Sequence, residues 1–506
     1  MTEASSPIRS ILIVGGGTAG WMTAAYLARY LRLPDCQITL VESATIGTIG
    51  VGEATIPALV GFVRNLRLDE DQFMRKCNAT YKLGIQFIDW IEKGHKYWHP
   101  FGLCGGLIEG QDLYHYWLRA QRVGAQQQPY AAFSLQARLA ELNKSPRPLG
   151  GMSQIIGTGA YAYHLDARAL ADLLREVATS AGVAHLHDEV QAVELDDRRA
   201  IARIHTQAAR QLAADLYIDA TGFQGLLIEK ALGDAWVDWS DQLLCNRAVV
   251  AQFPRDEEQA PYTRSTALDA GWMWQIPLSN RTGCGYVYSN RHLNDDAAGA
   301  ALLAAAPAGQ MPSADLRYLP MRIGRRQHGW VGNCVSIGLA SGFLEPLEST
   351  GIYFVQRALD LLTTYFPDRK LNHVLRQAYN QAIASSYEEV RDFILLHYVL
   401  SRRDDQAFWR DCRHVPQPDS LRHLRELYEE SGYVASSHRT VFSERSYHHI
   451  CSGGGCFPRR HHPSVEAAEM REVTDVMRQI QRQNEDFCQT MPSHAELMAW
   501  LHGLEC

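Results

Sequence analysis

The chain has 506 residues, more than one hydrophobic core usually serves, and this length predicts about two to four cores. Hydrophobic residues make up 46% and charged residues 21%, a balance that excludes a largely disordered chain. The net charge of −7 argues against a nucleic-acid-coating surface and favours a small or neutral substrate. Eleven Cys without a Cys-x-x-Cys pair indicate reduced thiols in a cytoplasmic chain. The first apolar run is too short for a signal peptide or a membrane span.

The first fifty residues predict a dinucleotide-binding unit. A β-branched run over 8–14 is typical of a buried parallel strand, a helix follows over 21–31, and a second strand over 38–41 ends on Glu42. Between the first strand and the helix lies a Gly-x-Gly-x-x-Gly match, Gly15-Gly16-Gly17-Thr18-Ala19-Gly20. Gly15 allows the tight turn, Gly17 lets the backbone approach a pyrophosphate, and Gly20 lets helix and strand pack closely. Glu42 can accept hydrogen bonds from ribose hydroxyls, whereas the alternative is a glycine-rich structural turn.

Two later segments bear on which dinucleotide is bound. The apolar strand over 216–219 ends in Asp219-Ala-Thr-Gly222, and another strand over 331–338 ends in small residues before a helix over 350–362. Each turn alone could be an ordinary strand end. Together they place three distant segments at one cofactor, which favours FAD over a mobile NAD and resembles the flavoprotein hydroxylase fold.

The chain between these segments predicts a discontinuous architecture. The pattern indicates a helix over 166–180, an antiparallel sheet over 240–290, and helices over 355–412 and 464–503. The predicted fold is therefore α/β, an FAD-binding Rossmann-like module of the flavoprotein monooxygenase type with a mostly helical second lobe. The predicted FAD-binding module comprises 1–95, 160–235 and 320–365, and the predicted substrate-binding lobe comprises 96–159, 236–319 and 366–506.

A second specific motif is Gly271-Trp272-Met-Trp274-Gln-Ile-Pro277. Two Trp at i and i+2 of a strand point to the same face and could seal a flavin from water and organic substrate, although two core aromatics would look the same. Together with the glycine turn, this motif resembles the hallmark pair of the flavin-dependent halogenases. The resemblance spans nearly the whole chain and includes 49–57, Lys82 within 79–87, and 343–352.

The resemblance implies a mechanism. In that family reduced FAD reacts with O2 to a flavin hydroperoxide, chloride or bromide attacks its distal oxygen, and the hypohalous acid passes through a tunnel to a lysine beside an aromatic substrate. Lys82 matches that lysine, Glu348 matches the carboxylate opposite it, and the amides of Thr350 and Gly351 match the halide site. An ammonium can activate hypohalous acid, and a carboxylate can accept the proton lost on rearomatisation.

The resemblance also implies the cofactor-binding residues. They are Gly15, Gly16, Gly17, Thr18, Ala19, Gly20, Glu42, Ser43, Ile46, Val51, Ala54, Val190, Leu339 and Ile352.

On the substrate side, Lys82 with Glu348 is similar to the tryptophan and indole branch of the family. His99 and Phe101 match two positions that sandwich the indole ring, and counting back from the glycine turn at 453–458 places Phe442 where the third, usually Trp, is expected. The stretch 432–445 looks short and lacks the Tyr-rich lid that grips free tryptophan. A simple indole, or an indole within a larger molecule, therefore fits better than free tryptophan.

The histidines and cysteines between 448 and 462 do not match a zinc spacing, so we predict no metal site and an irregular loop there. The aromatic-rich stretch 392–409 is interpreted as core of the second lobe and wall of the substrate cavity.

Two rival functions remain open at this point: an aromatic hydroxylase using the same hydroperoxide, and a non-catalytic FAD-binding homologue. No second dinucleotide motif is present, which favours a separate flavin reductase that supplies reduced FAD. We expect no nucleic-acid or membrane partner. Homodimers are common in this kind of protein, but no sequence feature indicates one here.

Overall fold

A computed structural model describes residues 6–44, 52–150, 161–306 and 311–503. The chain divides into two compact units. Unit 1 comprises residues 1–78, 165–240 and 321–388, and unit 2 comprises 79–164, 241–320 and 389–506. Among the described residues, every helix is too short or too polar to span a bilayer.

Unit 1 is built on a six-stranded sheet in which five neighbouring strands are parallel and an edge strand is antiparallel. In spatial order the strands are Ala184–His187, Gln37–Glu42, Ser10–Val14, Leu216–Asp219, Cys334–Ser336 and Trp330–Val331. The central strand Ser10–Val14 is apolar and buried along nearly its whole length, as in a sheet covered on both faces. The carboxyl ends of these parallel strands meet at one edge, which is where ligands bind in such sheets.

Helices cover this sheet, and the predicted ones are largely confirmed. The predicted helix over 166–180 is observed as Ala167–Ser180, and the one over 350–362 as Gly351–Thr364. The helix predicted over 21–31 begins earlier, at Thr18, and becomes a π-helix from Tyr26 to Leu31. No Gly or Pro marks that change in the sequence.

The remaining elements of unit 1 are short. The other helices are Ala58–Asn65, Glu70–Lys76, the first part of His373–Val399, the π-helix Leu226–Ala231, and the single 3-10 turns Gly222–Gln224, Gly338–Ala340 and Pro346–Glu348. The other strands are Gly52–Ala54, the trio Val190–Leu195, Ile201–Thr206 and Gln211–Leu212, and the trio Trp236–Asp238, Gly324–Arg326 and Gly342–Phe343.

Unit 2 contains a seven-stranded sheet, with helices making up much of the rest. Its strands in spatial order are Arg317–Pro320, Arg247–Phe253, Thr282–Tyr288, Gly271–Pro277, Thr263–Leu268, Gly84–Ile88 and Lys96–Pro100. The middle of this sheet is the predicted antiparallel sheet over 240–290. One face packs on the helix Asp295–Ala305 through a hydrophobic cluster that includes Met273 and Leu302.

Short strands and several helices complete unit 2. The strands are Thr80–Lys82, paired with Ala162–Asp166, and Leu107–Ile108, paired with Gln111–Asp112. The helices are Leu113–Arg122, Tyr130–Phe133, Leu135–Glu141, the last part of His373–Val399, Ala407–Cys412, Asp419–Ser431, Ser436–His438, Glu444–Gly453, Pro463–Ala467, Met470–Thr490 and His494–His502.

The observed division differs most from the predicted one at two places. Residues 79–95 fall in unit 2 because the strand Gly84–Ile88 pairs with Thr263–Leu268 of the large sheet. Residues 366–388 fall in unit 1, where Tyr387 stacks on Phe354 with ring centroids 3.8 Å apart. Both boundaries depend on contacts between distant segments, which hydrophobic periodicity does not reveal.

Candidate active site

The glycine turn of unit 1 has the geometry that the motif predicts. Gly15 follows the first strand with φ of +109°, and its N–H donates to the Val41 carbonyl at 2.9 Å. A Cβ on Gly15 would lie 2.3 Å from the Ala220 oxygen, and a Cβ on Gly20 would lie 1.9 Å from the Gly15 oxygen. Both positions therefore exclude a side chain, and the helix starting at Thr18 presents its N-terminus at this turn.

Glu42 lies beside this turn and is held by a histidine. A Cβ on Gly16 would lie 1.5 Å from Glu42 Oε2, so the carboxylate covers that glycine. His185 Nε2 is 2.7 Å from Glu42 Oε1, and His187 lies directly opposite Glu42 in the sheet register. The ligand atoms of these three residues lie within 4.8 Å of one another, a cluster that sequence spacing did not indicate. Glu42 thus lies at the carboxyl end of its parallel strand, beside the glycine turn.

The other strand ends reach the same edge. Asp219 is fully buried, and its carboxylate accepts hydrogen bonds from Thr221 and from the amides of Leu227 and Ile228. Its role is thus to hold its own turn. Gly338 has φ of +70°, and a Cβ there would lie 2.7 Å from the Ala19 Cβ. This close approach brings the turn that carries Leu339 against the glycine turn.

The remaining residues predicted to bind the cofactor differ in the polar or apolar groups that a ligand could contact. The Thr18 hydroxyl donates to the Ala167 carbonyl at 3.1 Å and the Ser43 hydroxyl to Glu189 at 2.6 Å, so each could meet a ligand only as an acceptor or through its backbone. The apolar ones are Ala54, at the end of Gly52–Ala54, Val190, which packs against the hydrophobic cluster under the parallel sheet, and the buried Ile352. Ile46 and Val51 lie outside the described residues.

The predicted halide site is the start of the helix Gly351–Thr364. Glu348 is buried at the end of the turn Pro346–Glu348, Ser349 adopts φ of +59°, and Thr350 is the buried residue that caps the helix. The first-turn amides of a helix have no carbonyl one turn earlier, so they can bind an anion. Among the described residues, no heavy atom outside its own helix and its chain neighbours lies within 4 Å of the Cβ position of Gly351. The left-handed Ser349 costs about 1–3 kcal/mol, and such strain clusters at functional sites.

Lys82 is fully buried in unit 2. It ends the strand Thr80–Lys82, and its Nζ lies 5.1 Å from the centroid of the Phe101 ring. The neighbouring backbone is fixed, since the Leu83 N–H donates to the Pro261 carbonyl at 2.7 Å and the Phe101 N–H donates to Leu83 at 2.9 Å. Burying an ammonium costs desolvation free energy, and contact with an aromatic face offsets part of that cost.

Two neutral histidines flank the strand of Lys82. The Thr80 hydroxyl donates to the Pro277 carbonyl at 2.6 Å, so His164 Nδ1, 3.1 Å away, must donate to Thr80. Burial, aided by the Lys82 charge, lowers the pKa of His164 well below its usual value. The Tyr81 amide donates to His494 Nε2 at 3.2 Å, and burial lowers the pKa of His494 to about 4.

His99 and Phe442, two of the residues predicted to contact the substrate, lie close to each other. Their ring centroids lie 6.3 Å apart, and both side chains are buried. Phe393 completes the group, since it stacks on Phe442 at 3.9 Å and lies 5.6 Å from His99. We call His99, Phe393 and Phe442 the aromatic wall. Because Phe393 covers one face of Phe442, only the other face of Phe442 could meet a substrate.

The two tryptophans of the Trp-x-Trp motif are buried on one face of their strand. Trp272 lies 6.2 Å from Trp90, and Trp274 crosses Gly285, where a Cβ would lie 2.4 Å from its ring. Met273 between them points into the hydrophobic cluster on the other face.

The histidines near 448 do not form the predicted loop. His448 and His449 lie on the helix Glu444–Gly453, and the irregular loop interpretation is wrong for this part. The His448 ring stacks on Tyr114 at 3.8 Å, and burial lowers its pKa to about 3. The neutral His448 imidazole therefore acts as a packed side chain of the core.

Two residues near the candidate site, His185 and Glu389, were missed from the sequence. His185 and Glu389, which is described below, act through contacts with segments far along the chain, and Phe393 was included only within an aromatic-rich stretch. The spacing of Glu389 and Phe393 by four residues on a helix was the one available signal.

Comparisons with known proteins agree with this geometry. The sequence profile of the family described as tryptophan halogenase matches residues 10–470. Tryptophan 7-halogenase RebH of Lentzea aerocolonigenes is 37% identical over 99% of this chain and 100% of its own length. Tryptophan 6-halogenase ThaL of Streptomyces albogriseolus is 36% identical over 98% of this chain and 99% of its own.

Among solved structures, BrvH, a flavin-dependent halogenase from Brevundimonas sp. BAL3, superposes with a TM-score of 0.92 at 40% identity. That match covers 98% of this chain and 99% of BrvH. Neither the aromatic hydroxylase nor the non-catalytic alternative is favoured by these relatives. The chain therefore belongs to the tryptophan halogenase family and is a flavin-dependent halogenase.

Proposed function

We propose that the enzyme uses reduced FAD, O2 and chloride or bromide to halogenate an indole-type aromatic compound. The observation that carries this proposal is Lys82, a buried ammonium 5.1 Å from the Phe101 ring. The aromatic wall supplies the apolar surroundings that an aromatic substrate requires.

The residues of unit 1 fit FAD. The turn Gly15–Gly20 excludes side chains and opens onto a helix N-terminus, which suits a pyrophosphate, while Glu42 suits a ribose. The chemistry that bound reduced FAD supplies is the two-electron activation of dioxygen for halide oxidation. Backbone amides at Thr350 and Gly351 would hold the halide at the positive end of their helix.

Lys82 would act on the oxidised halogen. Its ammonium donates a hydrogen bond to the oxygen of hypohalous acid, which makes the halogen more electrophilic. The carbon–halogen bond forms as the halogen–oxygen bond breaks, and the oxygen leaves as water with a proton from Lys82. The ring proton passes to a carboxylate, for which Glu348 is our candidate.

Reduced FAD has to come from a partner. We propose a separate flavin reductase, since the chain carries a single dinucleotide motif. We place the enzyme in the cytoplasm, where reduced nicotinamide nucleotides can drive such a reductase.

The test is mass spectrometry of a panel of indoles incubated with the enzyme, a reductase, FAD, NADH and either bromide or chloride. We expect products in which one hydrogen is replaced by a halogen. Products that gain one oxygen atom instead would assign the enzyme to the hydroxylases and overturn the proposal. Omission of halide is the control, because it must abolish the halogenated mass.

We further propose that free indole is halogenated with a higher kcat/KM than free L-tryptophan. Burying a zwitterion requires placed polar partners for an ammonium and a carboxylate, whereas the indole ring needs only stacking near His99 and Phe101. A tenfold preference requires only about 1.4 kcal/mol. Without a group that grips the substrate, reaction should occur at C3, the most nucleophilic carbon of indole.

Competition between equal concentrations of indole and tryptophan, analysed by mass spectrometry and NMR, measures this preference. If tryptophan reacts faster, or if it reacts at a single benzo-ring carbon, the enzyme binds the amino-acid portion and this substrate proposal is wrong.

A further inference from the structure

One face of the long helix His373–Val399 carries Glu389, Phe393 and His397 at successive four-residue steps. Residues four apart on a helix are neighbours on its surface. The rings of Phe393 and His397 lie 5.3 Å apart, and Phe393 belongs to the aromatic wall. Glu389 is thus the next residue along the face that builds this wall.

Glu389 is buried, and its carboxylate binds three consecutive residues of another segment. Oε2 accepts from the Thr440 amide at 3.1 Å and from the Thr440 hydroxyl. Oε1 accepts from the Val441 amide at 2.8 Å and from the Phe442 amide at 3.1 Å. Only 4% of Glu389 is exposed, so water cannot easily replace these bonds.

The segment 440–442 is therefore held at two points by one helix. The carboxylate fixes its backbone, and Phe393 stacks on the Phe442 ring with planes 19° apart. Hydrogen bonds to a charged acceptor are stronger than neutral ones, so the backbone anchor should dominate. The position of the Phe442 ring then follows from the position of Glu389.

We propose that Glu389 is a positioning residue that determines which aromatic substrates the enzyme accepts. By holding the backbone of 440–442, it sets how far Phe442 stands from His99 and from the ring of a bound indole. This inference rests on the proposed function, because it assigns the aromatic wall to the substrate side of that reaction. Glu389 itself acts only through Phe442.

The decisive variant is Glu389→Gln, which keeps the shape but leaves one acceptor oxygen and places an NH2 group against backbone donors. We expect the KM for indole to rise about tenfold with kcat changed less than about twofold, since a displaced wall weakens binding. NADH consumption by the coupled system should stay unchanged. Glu388→Gln is the matched control, because Glu388 is adjacent on the same helix but pairs with Arg325 at 2.6 Å.

A double-mutant cycle separates positioning from general stability. If Glu389 acts through Phe442, then Glu389→Gln should add little to the KM of Phe442→Ala, so the two effects will not be additive. Thr440→Val removes one of the four hydrogen bonds and should raise KM by about two- to threefold. Because this change is smaller, Thr440→Val can still test the proposal if Glu389→Gln folds poorly.

Several outcomes would overturn the inference. They are an unchanged KM in Glu389→Gln, a fall in kcat alone with the KM of the wild type, or full additivity with Phe442→Ala. Indole affinity measured by calorimetry on the protein without halide makes the result independent of turnover. If wild type halogenates nothing, the proposed function fails, whereas a weaker indole affinity in Glu389→Gln would still support the positioning role.

Discussion

The cofactor region of unit 1 and the aromatic wall of unit 2 are positioned in different ways. At the glycine turn, six consecutive residues supply the backbone dihedrals and the missing side chains, and the strand ends at Glu42, Ala220 and Gly338 pack against them. At the aromatic wall, His99, Phe393 and Phe442 come from three segments and are held by contacts between them. The comparison teaches that cofactor binding should depend on local changes, and substrate choice on remote ones.

The largest effect should come from Lys82→Met, which fills the buried space but removes the ammonium. We expect halogenation to fall at least 100-fold, about the contribution of a positioned proton donor, while FAD affinity is unchanged. Product analysis and flavin titration measure the two quantities. Lys96→Met, at an exposed position of a nearby strand, is the control. Retained halogenation in Lys82→Met, or loss of its FAD binding, would contradict the assignment of catalysis and cofactor binding to different regions.

Gly17→Val should have the next largest effect. Gly17 has φ of −75°, which any residue can adopt, so the substitution causes no backbone strain. A branched side chain would nevertheless occupy the approach to the pyrophosphate, and the Kd of FAD should rise by more than about 100-fold. Gly61→Ala is the control because no atom of the described residues outside its own helix lies within 4 Å of its Cβ position. A stoichiometric FAD complex of Gly17→Val would show that the cofactor binds elsewhere.

Acid should affect unit 2 through its buried histidines. His494 has a pKa lowered to about 4 by burial, against about 6.5 when unfolded, so its contribution to stability is present above pH 6.5 and is lost as the pH falls toward 4. For this residue alone the loss between pH 7 and pH 5 is about 2 kcal/mol.

His494→Gln keeps an acceptor for the Tyr81 amide and removes the titration. Chemical unfolding at pH 7 and pH 5 should therefore show a smaller acid destabilisation in this variant than in wild type. An identical pH dependence would mean that His494 does not contribute to acid sensitivity.

The smallest effect should come from His185→Ala. It removes the 2.7 Å bond to Glu42 and frees that carboxylate, so the Kd of FAD should rise about three- to tenfold. His205→Ala is matched, because His205 also bonds a glutamate, Glu194, at 3.0 Å on another sheet of unit 1. Equal effects from both variants would assign the change to general stability.

The two regions also differ in how much of each could be predicted from the sequence. The parallel strands and the glycine turn could be predicted because each depends on a short pattern, and a recognisable motif made Lys82 a candidate. Glu389 could not, since a glutamate on a polar-looking helix is usually solvated. Its role appears only when the fold brings 440–442 to the long helix.

His185 illustrates the same limit in unit 1. It lies 143 residues from Glu42 in sequence, and only the parallel pairing of their strands makes them neighbours. The prediction of an irregular loop around 448 was wrong for a related reason. Glycines and prolines that follow His448 end a helix rather than exclude one.

The anchor of 440–442 has a consequence for how the enzyme could diversify. Glu389 binds the backbone amides of Val441 and Phe442, and every residue except proline carries this N–H donor. Position 442 can therefore change between apolar side chains of similar size without loss of the attachment, so substrate scope can drift there. Libraries that randomise 441 and 442 while keeping Glu389 and Thr440 should remain rich in folded enzymes, and their variation should be concentrated in the compounds they accept.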